Sequence, residues 1–160
     1  LGGTERFVKI FWSAAVVRTL ARRHTFTGSL FLGSADPSTP ETESFSLGGS
    51  ATRLNTSNAG TASSIFYADF MGMRSEQKFG TRLAAAKTSY RLFIPKYFYL
   101  DFSYGIGNVW NSTSTITRDS LLQSYGVAGT FDTFLGPLSV GWGITSRGKD
   151  HVYMSAGREF

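Results

Sequence analysis

Along most of its length this chain alternates apolar and polar residues one by one, the spacing of a β-strand with two unlike faces. In the stretch 5–20, Val8, Ile10, Trp12, Ala14 and Val16 share one face, and Lys9, Ser13 and Thr19 the other. Six further stretches repeat the pattern: 25–34, 79–94, 97–110, 120–134, 138–145 and 151–160. In 97–110, Phe98, Leu100, Phe102, Tyr104 and Ile106 oppose Asp101, Ser103, Gly105 and Gly107. Most of these stretches match or exceed the ~9–11 residues a tilted strand needs to cross a hydrocarbon core. The expected fold is therefore all-β, with seven antiparallel strands and a possible eighth at 64–70.

A soluble β-sandwich also alternates. Two details point instead to a transmembrane β-barrel. The polar face is made of Gly, Ser and Thr, as a crowded lumen requires, and not of dense Lys and Glu. Aromatic residues gather at strand ends (Tyr97, Phe98, Tyr99, Trp110), where interfacial girdles belong. The connections are unequal too. Arg22-Arg23, Pro95-Lys96 and Leu135-Gly136-Pro137 read as tight turns. Residues 111–118 and 146–150 read as longer loops, and 35–78, rich in Ser, Thr, Gly and Asn, as a very long one. Short turns on one rim and long loops on the other describe a barrel in an outer membrane.

The remaining composition narrows the chemistry. With no cysteine, disulfides and thiolate metal sites are impossible, and the two histidines, His24 and His151, lie far apart. There is no Gly-x-Ser-x-Gly elbow and no Gly-rich phosphate loop before a helix, so no enzyme and no cofactor is expected. The formal charge of +5 suits anionic lipid head groups as well as nucleic acid. With the strand pattern, membrane lipid is the expected partner and nucleic acid is not. Leu1-Gly2-Gly3-Thr4 is no leader, so the chain is expected to start after a removed signal or inside a longer protein.

The order of phrases carries a family likeness. Phe45-Ser-Leu-Gly48-Gly49 is followed by a long loop with Met71-Gly72-Met73-Arg74, then a strand with Tyr90-Arg91. Gly107-Asn-Val-Trp110, the turn Gly136-Pro137-Leu138 and a terminal Gly157-x-x-Phe160 come next. From about Phe26 to Phe160 this resembles the C-terminal barrel region of the bacterial outer-membrane assembly and surface-antigen superfamily, most nearly the barrels of patatin-like proteins. The resemblance implies seven or eight strands of a sixteen-stranded barrel; because open edges in lipid leave backbone groups unsatisfied, a homodimer or the missing strands of a longer chain is expected to complete it. It also implies the bacterial outer membrane, the barrel-assembly machinery as a partner, and a part in inserting or secreting an attached or partner protein. A passive pore or structural outer-membrane protein is the alternative. A soluble β-rich binder, taking anionic polymers on Arg22, Arg23 and Arg82, is the second.

The resemblance further implies that the long loop, with Gly48, Gly49 and Gly72, folds back into the barrel. There it plants an arginine, Arg74 or alternatively Arg53, among lumen groups. Lys87, Arg91, Asp101 and Asp132 are the lumen polar candidates. Gly105 stands where the family has an acid, so Asp101 or Asp132 would serve in its place. Ser155, Gly157 and Phe160 resemble the terminal insertion signal of outer-membrane proteins.

Overall fold

A computed structural model describes residues 7–40, 43–49, 67–74, 78–94, 97–112, 116–134 and 136–156. In chain order the strands are β1 (Lys9–Leu20), β2 (His24–Ala35), β3 (Phe45–Leu47), β4 (Tyr67–Ala68), β5 (Lys78–Gly80), β6 (Arg82–Ile94), β7 (Phe98–Trp110), β8 (Leu122–Thr133), β9 (Gly136–Thr145) and β10 (Asp150–Ala156). The seven alternating stretches all become long strands of one antiparallel sheet, ordered β1-β2-β6-β7-β8-β9-β10. Registers run without a bulge, from Ile94↔Phe98 to Arg82↔Trp110 between β6 and β7 and from Lys9↔Ala35 to Leu20↔His24 between β1 and β2. The fold is all-β, and the sheet is open: β1 and β10 are its edges and do not pair with each other among the described residues.

Short connections lie on one rim, at 21–23, 95–97 and 134–135; long ones lie on the other. The first turn is tight without any glycine. Ala21 and Arg22 hold φ of 50° and 59°, a left-handed conformation costly for a residue with a Cβ. Tyr97 (φ 73°) belongs to the second turn and not to the strand expected there. Two other expectations shift. Phe79 and Gly80 leave the stretch 79–94 to join β5, and the possible eighth strand at 64–70 contributes only Tyr67–Ala68, outside the main sheet. Residues 64–66 lie outside the described ones.

The two faces differ: the bare face presents large apolar side chains outward, whereas the covered face mixes small polar residues with a buried apolar core. On the bare face Val16 and Val152 remain 64% and 57% exposed, together with Ile10, Trp12, Leu30, Val140 and Trp142. On the other face Ser124 and Ser139 are only 3% exposed, and Thr130 and Thr145 are buried as well. By strand alternation, charge on the bare face is confined to strand ends: Arg18 beside the turn rim, Arg82 and Asp150 at the loop rim.

The covered face is capped by the long connection between β2 and β6. Its strands form a second small sheet, β4-β3-β5, with β3 parallel to β4 and antiparallel to β5. Phe45 and Leu47 of β3 are fully buried and pack with Phe70, Met73, Leu83, Val109 and Leu122, with Phe11 and Phe31 beside them. Gly33 permits this, because a Cβ there would stand 2.7 Å from the Phe45 ring. Phe45→Ala should therefore lower the unfolding free energy by about 3–5 kcal/mol. Phe134→Ala, at a side chain 88% exposed, should change it by less than about 0.5 kcal/mol. Guanidinium titration of the two variants folded in detergent micelles measures the difference.

Candidate functional site

The site is the contact between this inserted plug and the strands beneath it. Three glycines at left-handed φ, Gly48 (138°), Gly49 (83°) and Gly72 (85°), turn the plug back on itself. The turn is stitched by backbone bonds. Gly49 N–H donates to Met73 O at 2.9 Å, Phe70 N–H to Gly49 O at 2.9 Å, and Gly48 N–H to Ala68 O at 3.2 Å. The Phe45–Gly49 and Gly72–Arg74 phrases, distant in sequence, thus meet in one knot.

Below the knot the sheet is cleared of side chains. Gly105, Gly126, Gly141 and Gly143 form a trough across β7, β8 and β9 that receives Phe70 and Met71. A Cβ on Gly143 would stand 2.6 Å from Gly72 N, and one on Gly72 would meet the Ile144 backbone at 2.7 Å. The Ser103 hydroxyl donates to the Met71 sulfur, and the Tyr153 hydroxyl donates to Met73 O at 2.6 Å.

Charge is gathered on this face as well. Lys87 of β6 pairs with Asp69 of the plug, both side chains largely buried. Arg91 and Asp101, register partners across β6 and β7, make two bonds, Nε to Oδ1 at 2.6 Å and a second nitrogen to Oδ2 at 3.0 Å. The same guanidinium lies 5.5 Å from the Tyr99 ring centre. At the loop rim Lys78 Nζ donates to Asn108 Oδ1 at 3.0 Å. Asn108 Nδ2 and Trp110 Nε1 both reach Ser120, at 2.6 Å and 2.8 Å.

The lumen candidates Lys87, Arg91 and Asp101 all lie on the covered face, but they form two separate pairs. Asp132 is exposed near the turn rim, its N–H bonded to Tyr97 O at 2.9 Å. Arg74 is exposed at the end of the plug. At Lys87 the plug supplies the anion and the strand the cation. Ser155 pairs with Ser139 on the covered face of β10. Arg53, Gly157 and Phe160 lie outside the described residues. Asp69 was not among the candidate site residues, and Met71 and Asn108 entered only within the phrases that carry the resemblance. A lone acid within the apolar run Ile65–Gly72 was the signal that could have found the first.

No group of three histidine, cysteine or carboxylate side chains able to hold a metal ion occurs among the described residues. The arrangement positions the plug segment against the strands beneath it. No protein-family model matches the chain, and no curated protein matches it.

The Lys87–Asp69 pair should behave as a coupled unit. Lys87→Gln and Asp69→Asn should each destabilise the protein, and the double variant should lose less than the sum, by about 0.5–3 kcal/mol. A double-mutant cycle by denaturant titration measures that coupling, and additive losses would show that the pair does not tether the plug.

Proposed function

We propose that this chain is a membrane-embedded part of a bacterial outer-membrane β-barrel of the assembly and surface-antigen type. In this reading it carries no catalytic site and takes part in inserting or secreting an attached or partner protein. The observation that carries the membrane part is the inverted sheet: an apolar, charge-poor bare face laid over a polar, glycine-lined covered face. An outer-membrane barrel needs an apolar band about 25 Å tall with polar residues inside, and strands of ten to thirteen residues in all of the seven-stranded sheet but β10 suit that height. Among the described residues no helix is long and apolar enough to cross a membrane.

The plug supports the assembly and secretion side of this reading over a passive pore, because Phe45, Leu47, Phe70 and Met73 fill the loop-rim end of the covered face. In lipid the backbone groups of β1 and β10 would be unsatisfied at several kcal/mol each. The reading therefore requires further strands, from a second copy or from a longer chain. Closure of seven strands alone would crowd Phe11, Lys87, Arg91 and Tyr153 into a narrow lumen.

Two measurements test it. The protein should partition into detergent or lipid and migrate differently on gels before and after heating; a monomer freely soluble in plain buffer would sink the proposal. Leu100→Arg and Val140→Arg should each cost roughly 2–4 kcal/mol of folding into bilayers if they face mid-membrane lipid. Cysteines placed at Ser13 and Ser155, on the two edge strands, report the extra strands. Crosslinked dimer supports a second copy, and monomer mass with intramolecular crosslinks alone argues for solitary closure.

A further inference from the structure

Among the described residues, the loop rim carries cations that no carboxylate meets. The β9–β10 connection reads Ser146-Arg147-Gly148-Lys149 and is a built turn. Thr145 N–H donates to Lys149 O at 2.8 Å, Lys149 N–H to Thr145 Oγ1 at 3.3 Å, and Gly148 N–H, at φ 72°, to Thr145 O at 2.9 Å. A Cβ on Gly148 would have nothing within 4 Å, so the turn stands clear of its surroundings with Arg147 and Lys149 exposed on either side.

A third cation comes from the plug. Lys78 of β5 reaches Asn108, and the register locates the turn beside it. Ser146 N–H donates to Gln123 O at 2.8 Å, and Leu122 faces Gly107. Arg147 therefore stands about two strand spacings, roughly 10 Å, from the Gly107–Asn108 backbone. Partial burial first, and then the charges of Arg147 and Lys149, hold the Lys78 ammonium below the usual lysine range. Among the described residues none of the three has a carboxylate at ion-pair distance. The nearest in sequence, Asp150, accepts from Trp142 Nε1 at 3.3 Å.

We propose that Lys78, Arg147 and Lys149 form a binding site for a phosphate group. A phosphate offers nearly two negative charges and several acceptor oxygens, enough to accept from an arginine fork and two ammonium groups together. It would relieve the repulsion among the three cations and would bridge the plug, through Lys78, to the β9–β10 hairpin. Two sources carry this chemistry: the phosphorylated head group of a surface lipid at the loop rim, and a free phosphate compound. The lipid source rests on the membrane reading above; the phosphate site does not.

The test uses the whole chain folded in zwitterionic micelles. Inorganic pyrophosphate is titrated calorimetrically, and flotation is compared on phosphatidylcholine vesicles with and without a bisphosphorylated glycolipid. Lys78→Gln, Arg147→Gln and Lys149→Gln should each weaken phosphate-dependent binding about fivefold, with heat-modifiable migration unchanged. Preference for the glycolipid vesicles without pyrophosphate binding supports the site with a lipid occupant. Pyrophosphate binding without that preference supports the site with a soluble occupant. Pyrophosphate binding with no flotation on either vesicle keeps the site and removes the membrane reading. Absence of binding to both probes, or a triple variant that binds as well as the parent, overturns the proposal.

Discussion

The long strands depend on one constraint: an apolar face can be presented outward only if the backbone beneath it is hydrogen-bonded sideways without gaps. The six antiparallel ladders meet it over their paired lengths, and the uninterrupted alternation makes it possible, since any bulge would turn the following residues to the other face. Between Arg82 and Ile94 the register with β7 never slips, so Ala86, Tyr90 and Leu92 stay on the bare face while Lys87 and Arg91 stay on the covered one. The same ladders set Phe26, Tyr90 and Phe102 side by side, with ring centres 4.9 and 6.3 Å apart.

Small residues on the covered face follow from that arrangement. A sheet whose large apolar residues point outward has little of its own to fill the other side. The chain fills it with a segment that leaves the sheet after β2 and returns at β6. Phe45, Phe70 and Met71 supply the bulk, and the Gly33 position and the trough at Gly126, Gly141 and Gly143 supply the space. Neither half suffices alone: without the plug the trough is a void, and without the trough Gly72 could not approach the Ile144 backbone.

The long strands were legible in the sequence because each residue reports its face through its neighbours two positions away. Boundaries were less so. Thr81 lies between β5 and β6, and the alternation of 79–94 runs straight across it, since β5 pairs with β3 while keeping the same period. The plug knot was legible only as glycines that a resemblance grouped together; their φ values and shared hydrogen bonds give that grouping a physical basis. The Lys87–Asp69 pair was not legible, because a contact eighteen residues apart across an irregular loop leaves no periodic trace. The short aspartate directly before Phe70 is carried to the sheet with the buried phenylalanine.

The cover over the sheet is uneven, and this bears on how such a plug would work. Toward the loop rim it is a packed apolar core built on Leu83, Ala85, Val109 and Leu122. Toward the turn rim along β1, Ser13, Ala15, Val17 and Thr19 remain exposed on the same face. The plug therefore sits as a stopper at one end of the covered face. Its attachments are of two kinds: apolar packing on β6 to β8, and a few polar ties, Lys87–Asp69, Tyr153–Met73 and Lys78–Asn108, spread over β6, β10 and β7. Apolar packing holds a segment in place with little directional preference, whereas polar ties fix its angle and register. These ties sit on three separate strands. Spread across the sheet, the three ties fix the segment's angle and register where the apolar packing alone would not.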